Sequence, residues 1–172
     1  MDQLWAPWRL SYVAAPRDKG RPPAGGECFI CRGVAAPADD RANLVVRRSG
    51  LSVVVLNRFP YNNGHLLVAP RAHKARPADL TPDELLDLQL ELRRMIGVFE
   101  ARMAPDGFNV GLNLGSAAGA GLPGHLHWHV VPRWAGDTNF MPVLTDTRVI
   151  VQSLDALYDL IADELAKDRP PA

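Results

Sequence analysis

Cysteine is almost absent from the sequence: its 172 residues hold two, Cys28 and Cys31. So few exclude a disulfide-stapled scaffold, whose stability rests on several bridges in a short chain. A charge excess is also absent, with 19 basic against 19 acidic side chains. That balance excludes a long-range pull toward nucleic acid or an anionic membrane, but it leaves room for a local basic patch that holds phosphates. No stretch approaches 18 apolar, uncharged residues, so no membrane helix is expected. The opening MDQLWAPWRL lacks the basic-then-apolar order of a secretory signal, and the expected location is the cytoplasm.

What remains is an ordinary soluble composition, 47% hydrophobic and 22% charged, in a length that suits one core better than two. Residues 1–27 read as an N-terminal arm and loop. In that arm Trp5 and Trp8 are candidate packing anchors, and RDKGRPPAGGE carries the Pro/Gly punctuation of a loop. Residues 28–172 read as a single domain. Its β-branched runs NLVVRRS and LSVVVLN flank a Ser-Gly turn and predict a hairpin over 43–57, followed by a strand at HLLVAP. Thr81, Pro82, Asp83 and Glu84 form a helix start, and Leu85, Leu88, Leu92, Met95, Ile96 and Phe99 follow at helical spacing. GFNVGLNLG alternates as a strand, SAAGAGLPG is a glycine-rich loop, and HLHWHVVPRW is the next strand. VQSLDALYDLIADELAKD closes the chain as an amphipathic helix. The expected fold class is α+β, an antiparallel sheet of about five strands with one long helix and one C-terminal helix.

The chain has five histidines, and three of them sit at alternate positions in GHLHWHVVPRW. On a strand His125, His127 and His129 share one face while Leu126, Trp128 and Val130 share the other. Neighbours on that face stand roughly 6.5 to 7 Å apart. Three readings fit the pattern: scattered surface histidines, a metal site made by all three, or nucleophilic catalysis by a neutral imidazole whose neighbours orient it. The four glycines from Gly115 to Gly124 precede the strand and allow backbone N–H groups to form an anion-binding nest. Asn113 and Ser116 add side-chain donors. Donors beside a nucleophile suit phosphoryl chemistry, whose stabilisation is mostly positioning and charge.

HLHWHVV resembles the alternating signature of the histidine triad superfamily of nucleotide hydrolases and transferases. VVLNRFPYNNGHLLVAPRAH, TPDELLDL and GFNVGLNLG extend the resemblance over about residues 28–134. PRWAGDTNFMPV, the tryptophan-bearing N-terminus and the C-terminal helix make the sequence most similar to the dinucleoside polyphosphate branch, diadenosine tetraphosphate phosphorylases included. The resemblance implies a histidine-triad fold and a homodimer built along the sheet and long helix. It also implies an enzyme in which His127 attacks the α-phosphorus to form a nucleotidyl-histidine that water or phosphate resolves. His129 would bond the phosphate or bridging oxygen, and His65 would support the triad. Asn57 would bind the ribose hydroxyls, while Asn113, Ser116 and Gly121 would line the phosphates. Trp134 is a candidate substrate contact. Many relatives carry Gln and then Ser or Thr before the triad; this chain has Gly121, Leu122 and Pro123, so backbone N–H groups, Ser116 or a group from another segment would have to supply that donor. A phosphoramidate hydrolase and a nucleotide-binding module with little turnover are the alternative functions.

Cys28 and Cys31 in CFIC read as a redox dithiol, a pair of buried thiols, or half of a tetrahedral zinc site. The resemblance implies that His73 and His125 complete a structural zinc site, with His65 as the competing ligand. Arg58, Arg71, Lys74, Arg76 and Arg133 are either solvated surface charges or an attraction for polyphosphate.

Overall fold

The structure is a computed structural model and describes residues 28–138 and 149–167. The N-terminal arm with Trp5 and Trp8 lies outside those residues, as does the second half of PRWAGDTNFMPV. The described elements run α1 (Phe29–Ala35), β1 (Val45–Arg48), β2 (Ser52–Leu56), β3 (Leu66–Pro70), α2 (Pro82–Met103), β4 (Gly107–Leu112), β5 (Trp128–Arg133) and α3 (Leu154–Lys167). One antiparallel sheet takes all five strands in the order β1-β2-β3-β5-β4. The expected α+β class, the hairpin, the long helix and the C-terminal helix are all present.

The start of α2 follows from its first residues. The Thr81 hydroxyl accepts the Glu84 N–H at 3.2 Å, the Glu84 carboxylate accepts the Thr81 N–H at 2.7 Å, and Pro82 needs no N–H partner at the first helical position. Leu88, Leu92, Met95 and Phe99 then form one buried stripe against the sheet. Leu66, Val68 and Val130 meet that stripe from the strands, and Leu157 and Ile161 of α3 complete the same core. Outside the core, α3 is tied to the first hairpin. The Tyr158 hydroxyl donates to the Val45 carbonyl at 3.0 Å, and Arg41 pairs with Asp159 at 2.5 Å.

Two local features differ from the sequence reading. Helix α1 stands where no element is expected. Its seven residues are too few to show a period, and only the Cys28 sulfur, 3.5 Å from the Cys31 N–H, marks its start. Strand β5 opens at Trp128 rather than at His125. The ladder between β3 and β5 ends at Val68 and Trp128, two residues before Pro70, which has no N–H to extend it. The chain through His125 and His127 is held instead by the Leu126 N–H, which donates to the Lys74 carbonyl at 2.6 Å.

Gly64 fixes the turn before β3 with φ +78°, and a Cβ there would lie 2.9 Å from Pro132 Cγ. Gly64→Ala combines a left-handed backbone with a clash against the residue that follows Val131, so a loss of about 2 to 4 kcal/mol is expected. Urea unfolding measures it; a change under about 0.5 kcal/mol would show that the turn relaxes freely.

Candidate active site and metal cluster

The side chains from Leu126 into β5 alternate between two faces. Leu126, Trp128 and Val130 lie in or against the core, while the rings of His127 and His129 meet edge-on on the other face with centroids 5.0 Å apart. Across the ladder His129 faces Leu67 of β3 and Gly111 of β4. His65, fully buried just before β3, reaches the same face and sets its Nε2 2.9 Å from His129 Nδ1.

The hydrogen bonds determine where each ring carries its proton. The Tyr61 backbone N–H donates to His65 Nδ1 at 3.0 Å. His65 therefore keeps its proton on Nε2 and donates it to His129 Nδ1. His129 in turn carries its proton on Nε2, a buried nitrogen with no partner among the described residues. His127 is set the other way. Its Nδ1–H donates to the His125 carbonyl at 2.8 Å, which leaves a lone pair on Nε2. One ring thus presents a lone pair and its neighbour an N–H donor on the same face, a pairing that suits acid–base and nucleophilic chemistry.

Burial keeps the donor pair neutral. Desolvation first, then the neighbouring rings, lowers His65 from 6.5 to about 3 and His129 to about 4. Because both folded-state values lie below the ordinary one, the unfolded chain takes up protons first as pH falls. The stability these rings contribute is complete above about pH 6.5 and is lost on the way down toward pH 4 and 3. Urea titrations from about pH 7 to pH 4 should therefore show a smaller stability loss in His129→Asn than in the unaltered protein; parallel curves would contradict the assignment.

A second cluster lies on the N-terminal side of the triad. Cys28 Sγ is 3.3 Å from His125 Nδ1, while Cys31 Sγ is 3.1 Å from His73 Nδ1 and 3.4 Å from His125 Nδ1. The four ligand atoms lie within 4.8 Å of one another, and tetrahedral zinc with bonds of about 2.0 to 2.3 Å needs ligands roughly 3.3 to 3.8 Å apart. The tautomer also fits. His125 Nε2–H donates to the Pro70 carbonyl at 2.8 Å, so Nδ1 turns its lone pair toward the sulfurs. Burial lowers the pKa of His125 and keeps it neutral, as ligation requires. No disulfide joins Cys28 and Cys31. His65, the competing ligand of the sequence reading, belongs to His129 instead.

Of the expected substrate contacts, Asn57 is at the site. Its amide nitrogen lies 3.3 and 3.4 Å from the two ring nitrogens of His65, and its oxygen accepts the Phe59 N–H at 3.0 Å. Asn113, Ser116 and Gly121 lie on the loop that leads into the triad. Gly115 and Gly119 adopt positive φ there, and a short 3-10 turn, Ser116–Ala118, spends several N–H groups internally. Those of Ala118 and Ala120 donate to the Gly115 carbonyl and that of Gly119 to Ser116, so the anion nest is narrower than the loop length suggests.

Trp134, the candidate substrate contact, has a partner within the chain. It follows the far end of β5, about 16 Å along the strand from His129, and its indole N–H donates to the Met103 carbonyl at 3.2 Å. That bond ties it to the end of α2. Two of the basic candidates are similarly occupied: Lys74 pairs with Glu84 at 2.6 Å and Arg133 with Asp137 at 2.5 Å. Tyr61 and Pro70 are site residues that sequence reasoning missed. Both act through main-chain groups, which carry no signal in a side-chain pattern.

A five-stranded antiparallel sheet that displays coupled histidines on one strand face defines the class of histidine triad proteins. The HIT domain model matches residues 40–136, and the chain belongs to that family. It is 40% identical over 167 residues to AP-4-A phosphorylase from Mycobacterium tuberculosis, covering 97% of this chain and 86% of the relative. It is also 38% identical over 93 residues to an asymmetrical bis(5'-nucleosyl)-tetraphosphatase from Schizosaccharomyces pombe, covering 54% of this chain and 50% of that protein. Among solved structures, a Zn-bound histidine triad family protein from Mycobacterium smegmatis superposes with a TM-score of 0.64 at 24% identity, over 82% of this chain and 94% of that one, which shows the shared fold.

Proposed function

We propose that the protein is an enzyme that cleaves dinucleoside polyphosphates of the diadenosine tetraphosphate kind at the α-phosphorus, with His127 as the nucleophile. The single observation that carries this reading is the pair of opposite tautomers, a free lone pair on His127 Nε2 beside a free proton on His129 Nε2. Relatives named for the phosphorylase and the tetraphosphatase support the substrate class. His127 Nε2 forms a bond to the α-phosphorus while the bond from phosphorus to the bridging oxygen breaks. The His129 Nε2–H meets the negative charge that grows on that oxygen. The nucleotidyl group then passes from His127 to water or inorganic phosphate, and the nitrogen regains its lone pair. Asn57 contacts the ribose, while Asn113, Ser116 and Gly121 line the phosphates.

Cys28, Cys31, His73 and His125 hold one structural zinc ion in this reading, which fixes His125 and leaves His127 free. Reduced thiols suit the cytoplasm. The reading also takes the protein to be a homodimer, with β4 as the shared edge. That strand closes the sheet with Asn109, Val110 and Gly111 exposed.

Incubation with diadenosine tetraphosphate, with and without inorganic phosphate, tests the reaction. Attack at the α-phosphorus releases ATP in either case. ADP formed only with phosphate identifies a phosphorylase, and AMP a hydrolase. Binding without any turnover would mean that the triad only senses nucleotide.

A further inference from the structure

Tyr61 lies outside the strand that bears the triad, yet it meets both members of the donor pair. Its ring centroid is 4.5 Å from that of His65 and 5.6 Å from that of His129, and its plane lies within 22° of the His129 plane. The same residue supplies the backbone N–H that fixes His65 Nδ1 as an acceptor. Stacking blocks a face of His129 but leaves its in-plane N–H groups available, so the cover does not compete with the hydrogen bond that the ring must give. Tyr61 is itself 49% exposed, which puts it between the pair and solvent.

We propose that the Tyr61 ring is a positioning residue of the reaction: it roofs the His65–His129 pair against water, so that His129 stays neutral with its proton on Nε2. This rests on the enzyme reading above for its catalytic meaning, but not for its physical content. Burial is the first cause of the depressed basicity of both rings. The titratable groups that touch His129 are His65 and His127, with Tyr61 above. Leu67 and Gly111, opposite it on β3 and β4, carry no charge. Among the described residues no acidic side chain therefore stands by to hold a proton on His129, and water is the agent to keep away.

The test is NMR of the full-length, zinc-loaded protein with nitrogen-15 in its histidines. It covers Tyr61→Phe, Tyr61→Leu and Tyr61→Ala, each checked for native circular dichroism. In the unaltered protein and in Tyr61→Phe, His129 should keep the Nε2–H tautomer and titrate near pH 4. In Tyr61→Ala its midpoint should rise by about one unit or more as water reaches the ring. The acid limb of kcat/KM should rise with it, with kcat affected more than KM. Should Tyr61→Ala fail to fold, Tyr61→Leu, which keeps apolar bulk without a ring, should show the rise in part. A His129 midpoint that stays within about 0.2 units of the unaltered protein in folded Tyr61→Ala, or in Tyr61→Leu where Tyr61→Ala does not fold, overturns the proposal. The NMR shift is read without substrate, so a protein that turns nothing over would still show it, and the two ideas fail separately.

Discussion

Replacing His127 by glycine is expected to lower kcat by about 10⁴-fold or more, since removal of a nucleophile leaves only the stabilisation that binding and the remaining donors supply. Among the described histidines, none of the others stands in the same relation to the face. His65 Nε2 and His129 Nδ1 are engaged with each other, and His125 is turned toward the sulfurs by its bond to Pro70. Of these four rings, His127 alone keeps an uncommitted lone pair, on Nε2. Nucleotide affinity should change by no more than a few fold, because an imidazole that reacts contributes little to ground-state binding. Free imidazole added to the glycine variant should restore part of the rate by entering the vacated space. His129→Asn should be milder, about 10² to 10⁴-fold, in keeping with loss of a proton donor. A His127→Gly protein that keeps more than a tenth of the rate would place the nucleophile elsewhere.

The second large effect is expected at Cys31→Ser. Cys31 Sγ is the sulfur that contacts both His73 and His125, so its loss breaks the cluster at its centre. One zinc per chain by elemental analysis is expected in the unaltered protein and none in the variant. Metal binding is folding free energy wherever the apo ligands are not held together. A drop of several kcal/mol follows, or about 10 °C in Tm for a domain of this size. Activity should fall less steeply, by about 10 to 100-fold, through a definite route. The His125 carbonyl accepts the Nδ1–H of His127, so a loosened His125 lets the nucleophile lose its tautomer while its chemistry remains. An unaltered Tm with a full loss of zinc would show that the cluster forms without metal.

Much of this was legible in the sequence because alternation is a strong signal on a two-sided strand. The His125, His127 and His129 pattern located β5, the polar face and the core-facing Leu126, Trp128 and Val130 together. Thr81 and Pro82 marked the start of α2 for a reason as local as the cap itself. The start of β5 was not legible, because it depends on a proline in another strand. The surroundings of Trp134 were not legible for a related cause: adjacency to the triad in sequence becomes a separation of about five residues along an extended chain. Helix α1 was hidden by its brevity. The proton positions could not be read either, since they are set by carbonyls of Pro70 and His125 and by an N–H of Tyr61, groups that every residue type possesses.

The two faces of β5 carry different burdens with the same period of two. A frameshift of one position within the segment from His125 to Val130 would therefore exchange them, driving imidazoles into the hydrocarbon layer under α2 and turning an indole toward the nucleotide. Stability and chemistry would be lost in one event. Changes of length in this strand are tolerable only in pairs, and the spacing between its histidines is as much a property of the hydrophobic core as of the reaction.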